Sequence, residues 1–552
     1  MEFINKTIGE VLDDLAKNQT DDWAVRYTDR PYKRTWKELN DEAELVARGL
    51  MSLGIRKGDH VAIWATNTPE WILTLFASAK IGAVLVTVNT NFKIFELEYL
   101  LRQSDTKLLV MMGGFKNNDY VATVNELLPE LKNISGDIES DSLPFLKRIV
   151  FAGNETPAGM LNFEDLKVLG NDFPVEIFEE NKKTLSPHDV VNMQYTSGTT
   201  GFPKGVMLTH YNILNNGKTI GDGMKFTKVD RLCITVPFFH CFGLVLAMMA
   251  CITHGTTMVP VERYSPVPVM NAISVEKCTA VHGVPTMFIA MLEHAQFPQF
   301  DFSSLRTGIM AGSPCPIEVM KKVIEKMNMR EIVIVFGQTE ASPGCTMTTT
   351  SDSLEKRVNT VGRAFPGVEC KIIDPDTGET LPADKAGEFC ARGYNIMKGY
   401  YKMPEATAQA IDKDGWLHSG DLCTVDSEGY YKVVGRIKDM IIRGGENIYP
   451  KEIEECLYTN DKISDVQVIG VPSEAYGEEV MACVILKEGE TMTEEEVKDF
   501  VAARMAKHKV PKYVRFVTSF PTNAAGKIQK FKMREEAIEV LKLQSAASIE
   551  TA

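Results

Sequence analysis

The chain has 552 residues, more than one hydrophobic core usually supports, so at least two domains are expected. Hydrophobic residues make up 44% and charged residues 24%, the proportions of an ordinary water-soluble globular protein. The net charge is -14 and no run of Lys and Arg interrupts it, which argues against a nucleic-acid partner, because duplex binding needs clustered cations.

Residues Met1 to Thr20 mix Glu10, Asp13 and Asp14 with apolar side chains, reading as a helix and not as a signal peptide. Thr7 with Glu10, and Thr35 with Glu38, have the spacing of capping boxes, the second opening a helix that runs towards Gly54. A strand over His60–Ala65, a helix over Pro69–Ile81 and a strand over Val84–Val88 follow. Further strands are predicted at Lys107–Met112, Leu232–Val236 and Ile332–Phe336. Such alternation predicts an α/β fold, a large N-terminal domain of stacked α/β sheets with largely parallel strands. The longest apolar stretch, Phe242 to Ile252, is too short to span a membrane, so no transmembrane segment is expected. The 11 cysteines contain no CxxC pair, and scattered thiols suit a reducing compartment, the cytoplasm being the default.

After about Tyr400 the texture changes, with turns read at Asp414-Gly415, Ser419-Gly420, Glu428-Gly429 and Arg443-Gly444-Gly445. Helices at Lys451–Thr459 and Thr493–Met505, with strands at Val466–Val471 and Tyr513–Val517, predict a small α+β unit. The boundary is read within Gly435 to Asp439, giving domains 1–437 and 438–552.

The densest local signal is Tyr195 to Gly205, where three glycines, four Ser or Thr hydroxyls and Lys204 lie together. Close-approaching backbone N–H groups, hydroxyl donors and one cation suit a polyphosphate, though a hydroxyl-rich hairpin has the same composition. The spacing is not that of a Walker A loop. Ala311-Gly312-Ser313-Pro314 and Phe336-Gly337-Gln338-Thr339-Glu340 come next. Then follow His418-Ser419-Gly420-Asp421, Gly435-Arg436-Ile437-Lys438-Asp439 and Pro521 to Ile528.

In that order, and over nearly the whole chain, these segments closely resemble the adenylate-forming superfamily of acyl-CoA synthetases, beetle luciferases and non-ribosomal peptide adenylation domains. Lys438 to Pro450 looks especially like the acyl-CoA synthetases, and Gly526 to Lys532 like the medium-chain enzymes of the acyl-CoA synthetase family member 2 type.

The resemblance implies an ATP-dependent acid–thiol ligase, with ATP, Mg²⁺ and coenzyme A as cofactor or substrate and a small carboxylic acid as partner. It implies phosphate contacts from Thr196, Ser197, Gly198, Thr199, Thr200, Gly201 and Lys204. Glu340 would ligate the Mg²⁺, a hard cation that prefers carboxylate oxygen. Gly312, Ser313, Pro314, Gly337, Gln338 and Thr339 would border the nucleotide, with Phe336 stacked on adenine where the family usually has Tyr. Asp421 and Arg436 would meet the ribose, the Asp accepting from both hydroxyls. Lys527 would stand between the attacking carboxylate and the α-phosphate and offset their repulsion. By the same resemblance, catalysis falls to Lys527, Glu340, Thr199 and Lys204, and Gly444 and Gly445 would open a channel for coenzyme A. Lys438 would be the hinge of a mobile C-terminal domain.

His240 and the small Gly308 are candidates for the acyl pocket, although a His among aromatics is as readily a satisfied core residue. The acid stays open among medium-chain, long-chain and aromatic or alicyclic carboxylates, with medium-chain first. A carrier-protein thiol as acceptor, a luciferase-type oxidation and a non-catalytic sensor are the competing readings. Lys204, Glu340, Asp421, Arg436 and Lys527 are all present, which disfavours the sensor. The oligomeric state is left open, with a homodimer as one option.

Overall fold

The computed structural model describes residues 2–134, 136–196, 203–312, 315–436, 439–443, 446–473, 476–505, 507–523 and 526–544. Both capping boxes form. Thr7 Oγ1 accepts the Glu10 N–H at 3.2 Å and opens helix Ile8–Asn18, and Thr35 Oγ1 accepts the Glu38 N–H at 3.2 Å and opens helix Trp36–Ser52. Helix Pro69–Ile81 starts with Pro at its first position and ends at Gly82, φ +75°, as the sequence predicts. Its Lys80 ammonium is fully buried and is held by the carboxylates of Asp13 and Glu44, which makes burying that charge tolerable.

Among the described residues, eight strands form one sheet and nine a second. The eight-stranded sheet is parallel through strands Val190–Thr196, Val84–Thr87, His60–Trp64, Thr106–Met111 and Arg148–Phe151. Alternation along His60–Trp64 sends Val61 and Ile63 into one core and Ala62 and Trp64 into another on the opposite face. A strand covered on both faces has no polar side, which is why it reads as a continuous apolar run. The centre of the nine-stranded sheet is the parallel set Thr257–Pro260, Arg231–Ile234, Ala280–His282, Thr307–Met310 and Glu331–Gly337. The large core lies between the sheets and takes side chains from helices Trp36–Ser52, Pro69–Ile81 and His210–Gly223.

An antiparallel sheet of Val368–Ile373, Gly387–Gly393, Leu417–Val425 and Tyr431–Arg436 comes next. Among the described residues the C-terminal part has five strands, three of them Ile463–Ser473, Gly477–Leu486 and Tyr513–Phe516, with helices Pro450–Tyr458, Glu494–Ala502 and Lys530–Val540. It keeps two apolar clusters of its own. Ile437 and Lys438, where the sequence reading puts the boundary, lie outside the described residues.

One local reading changes, and one left open is filled in. Ser419-Gly420 is not a turn between elements but a bulge inside strand Leu417–Val425, with Gly420 at φ +69°. The apolar run from Phe242 is a π-helix over Phe242–Met249 that passes into an α-helix at Ala250–His254. All eight π-helical residues are buried.

Candidate active site

The site forms where the parallel strands of the nine-stranded sheet end. In open α/β sheets the crevice outside the carboxyl ends of the strands is the usual binding place. Phe336 and Gly337 close strand Glu331–Gly337, and Gln338 follows. With Phe389, Ser419 and Asp421 of the antiparallel sheet they line a narrow cleft. The Phe336 ring meets Phe389 edge-on, centroids 5.1 Å apart, and so exposes an apolar aromatic wall of the kind a flat base can use. Asp421, 7% exposed, stands at the same cleft and is paired in register with Arg436 on the next strand. The Arg436 side chain lies outside the described residues.

Thr196 ends strand Val190–Thr196, Lys204 begins strand Lys204–Thr209, and the two are directly opposite each other in an antiparallel pair. Ser197, Gly198, Thr199, Thr200 and Gly201 lie outside the described residues, as do Ser313, Pro314, Lys438, Gly444 and Gly445. Thr196 Oγ1 donates to Glu340 Oε1 at 3.3 Å, and the Tyr400 hydroxyl donates to the same oxygen at 2.8 Å. Lys204 Nζ lies 4.9 Å from the centroid of the Tyr400 ring. A carboxylate beside a Thr hydroxyl is a set of hard oxygen donors, so the residues fit Mg²⁺. Burial and the Glu340 charge push the Tyr400 phenol far up, so it stays a donor. Sequence reading does not single out Tyr400. Its short strand Gly399–Tyr400 reaches the site by pairing with Val206 and Met207, and no local pattern announces that pairing.

Lys527 arrives from the C-terminal part on a tight loop. The Lys527 N–H donates to Asn523 Oδ1 at 2.9 Å, and the Asn523 N–H donates back to the Lys527 carbonyl at 2.8 Å. Gly526, φ +79°, packs so close to the N-terminal part that a Cβ there would sit 3.1 Å from Val284 Cγ2. Burial, and then the Lys527 charge, push the His240 imidazole down to about 4. His240 Nδ1 accepts the Phe242 N–H at 3.1 Å, which fixes a neutral ring with its proton on Nε2. Lys527, His240, Val284 and Phe242 therefore share one region, and Gly312 joins it, because a Cβ there would lie 3.1 Å from Val284 Cγ1 and 4.0 Å from Phe242.

Gly308 is not in that group. A Cβ at Gly308 would fall 1.9 Å from the Val281 carbonyl oxygen, so the missing side chain serves the approach of adjacent strands and not room for a ligand. His282 is a core residue as well. Its Nε2 pairs with the Leu246 carbonyl at 3.0 Å, and Nδ1 accepts the Ile309 N–H at 3.2 Å.

The AMP-binding enzyme profile matches residues 12–401 and the AMP-binding enzyme C-terminal domain profile matches residues 452–527. The putative acyl-CoA synthetase YngI of Bacillus subtilis (strain 168) is 50% identical over 546 residues, covering 99% of this chain and 100% of that protein. The Bos taurus protein named medium-chain acyl-CoA ligase ACSF2, mitochondrial, is 39% identical over 548 residues, covering 98% of this chain and 89% of that one. Among solved structures, the anthranilate CoA ligase AuaEII in complex with anthranoyl-AMP superposes with a TM-score of 0.84 at 28% identity, over 98% of each chain.

Proposed function

This chain belongs to the AMP-binding enzyme family, as an acyl-CoA synthetase, and we propose that the acid it activates is a medium-chain fatty acid. The observation that carries the mechanism is the approach of the Gly526-Lys527 loop to the N-terminal part, where a Cβ on Gly526 would sit 3.1 Å from Val284 Cγ2 and the Lys527 charge acts on His240. In our reading the cleft takes the adenosine of ATP, with Phe336 on the base and Asp421 on the ribose. Thr196 and Lys204, with the loop between them, hold the β- and γ-phosphates. Glu340 would hold Mg²⁺, which when bound neutralises phosphate charge. The Lys527 ammonium then lies between the carboxylate and the α-phosphate, where two anions must meet. The neutral His240 offers its Nε2–H as a donor at the acyl end. The acyl-adenylate is passed to coenzyme A after the C-terminal domain, 438–552, turns about Lys438 and brings Gly444 and Gly445 to the 1–437 body.

An alkyl substrate is supported by the apolar character of the neighbouring wall, where Phe242, Val284 and Met287 are buried. The name of the bovine relative points the same way. A pyrophosphate-exchange screen over graded acids tests this choice. The specificity constant is expected to rise about fourfold per added carbon, from ~0.8 kcal/mol per buried CH₂, and to level off between roughly six and twelve carbons. Acetate or benzoate outperforming every fatty acid by about tenfold would sink it.

A further inference from the structure

We infer that Glu388 and His418 are positioning residues for the nucleotide's ribose, because together they hold the bulge that presents Asp421. The inference rests on the reading of Asp421 as the ribose ligand. Strand Leu417–Val425 pairs with Gly387–Gly393 through Cys390 with His418 and Glu388 with Leu422, so that on this side residues 419 to 421 face Phe389 alone, while Asp421 keeps its pairing with Arg436 on the other. A loop bulged out of a ladder loses hydrogen bonds and needs others to keep one shape.

The replacements come from side chains. One Glu388 carboxylate oxygen accepts the Gly420 N–H at 2.9 Å, and the other accepts from His418 Nδ1 at 3.0 Å. His418 Nε2 faces Asp412 Oδ2 at 3.6 Å, which fixes the ring from its other side. Ser419 Oγ donates to the Phe389 carbonyl at 2.6 Å and accepts the Asp421 N–H at 3.1 Å. Gly420 supplies the left-handed φ of +69° that a residue with a Cβ adopts at a cost. The Glu388 side chain is 13% exposed, so water competes weakly for these bonds. Glu388 itself does not line the nucleotide cleft, whereas Ser419 and Asp421 do. Its carboxylate therefore acts on the ligand through the bulge and not by contact. Cys390 Sγ lies 3.7 Å from His418 Nδ1, but the hydrogen bond to Glu388 already uses that nitrogen.

Pyrophosphate exchange with ATP, 2′-deoxy-ATP and 3′-deoxy-ATP tests the assignment in the wild type, Asp421→Asn, Glu388→Ala, Glu388→Gln and His418→Asn. A charged hydrogen bond to a hydroxyl gives the wild type a preference for ATP of about tenfold to a hundredfold. Glu388→Ala is expected to raise the KM for ATP and to lower that preference towards the value of Asp421→Asn, while kcat at saturating ATP changes little. Glu388→Gln still offers an acceptor to the Gly420 N–H and should keep most of the preference. His418→Asn should lose part of it, and carries the test if Glu388→Ala does not fold. If Asp421→Asn leaves discrimination intact, the ribose reading of Asp421 fails. If Asp421→Asn abolishes it while Glu388→Ala and His418→Asn keep it, this inference fails alone. Stoichiometric zinc bound through Glu388, Cys390 and His418 in the purified protein would also overturn it.

Discussion

Glu340 gives one carboxylate oxygen to two hydroxyl donors, Thr196 at 3.3 Å and Tyr400 at 2.8 Å. The Tyr400 ring also lies under the Lys204 ammonium, so one side chain touches both of the charges expected around the triphosphate. Tyr400→Phe keeps the ring and removes only the hydroxyl. Half-maximal adenylation should then need several-fold more Mg²⁺, with kcat at saturating Mg²⁺ and calorimetric binding of metal-free ATP little changed. An unaltered Mg²⁺ requirement would show that Tyr400 does not orient Glu340. Lys527→Ala makes a second residue-scale test. Adenylation should fall about 10²–10³-fold, and transfer from supplied acyl-adenylate much less. The same variant has a readout independent of rate. His240 is depressed from its ordinary 6.5 to about 4, first by burial and then by the Lys527 charge. A depressed imidazole contributes stability that is full above 6.5 and is lost as pH falls from 6.5 towards 4. Removing the Lys527 charge should raise the His240 midpoint in a histidine NMR titration, while burial keeps it below 6.5. A midpoint that stays put would mean the two groups do not face each other in solution.

At the scale of elements, what could be read in advance was what local chemistry decides. Thr35 and Glu38 close a capping box within four residues, and both of its hydrogen bonds form at the start of helix Trp36–Ser52. Thr35→Ala should cost ~1 kcal/mol locally, seen as roughly fivefold faster amide exchange in the first turn of that helix. Exchange unchanged there would mean that tertiary packing holds the turn without the cap. Parallel strands such as His60–Trp64 were legible because two covered faces leave an uninterrupted apolar run. The π-helix at Phe242–Met249 was not, since every position is buried and no periodicity survives to tell one helix type from another. Ser419-Gly420 looked like a turn because a glycine marks positive φ, and the sequence cannot say whether the chain reverses there or bulges within a strand. Phe336, Glu340, Asp421 and Lys527 could be named from ordered motifs. Tyr400 and Glu388 could not, because their contacts, Tyr400 to Glu340 and Glu388 to Gly420, span 60 and 32 residues and depend on strand register. Gly308 misled for a related reason, as an empty Cβ position looks the same whether a ligand or a neighbouring strand fills it.

At the scale of the molecule, among the described residues the C-terminal part touches the N-terminal part through few polar contacts, and one has an unusual form. Helix Ile317–Lys326 is preceded by Pro316, whose side chain cannot cap it. Glu455, on helix Pro450–Tyr458, supplies the missing acceptor, its carboxylate taking the Ile317 N–H at 3.3 Å. Partial burial holds the Glu455 carboxyl above its ordinary range. Ser464 adds a second tie by donating to Glu293 at 2.8 Å. Losing a helix cap costs about 0.5–2 kcal/mol, so Glu455→Ala should lower the ratio of this closed arrangement to any other by about two- to thirtyfold. Adenylation, for which we propose that Lys527 must be in place, should slow accordingly. Transfer of a supplied acyl-adenylate to coenzyme A should hold or quicken, because leaving the closed arrangement becomes easier. Lys438→Pro is expected to do the reverse, since it fixes φ near -65° at the proposed hinge, sparing adenylation and slowing transfer steeply. Rapid-quench measurement of the two half-reactions in both variants separates the cases. Opposite responses require a C-terminal domain that moves between two working positions, and parallel losses in both half-reactions would mean a single fixed arrangement serves throughout.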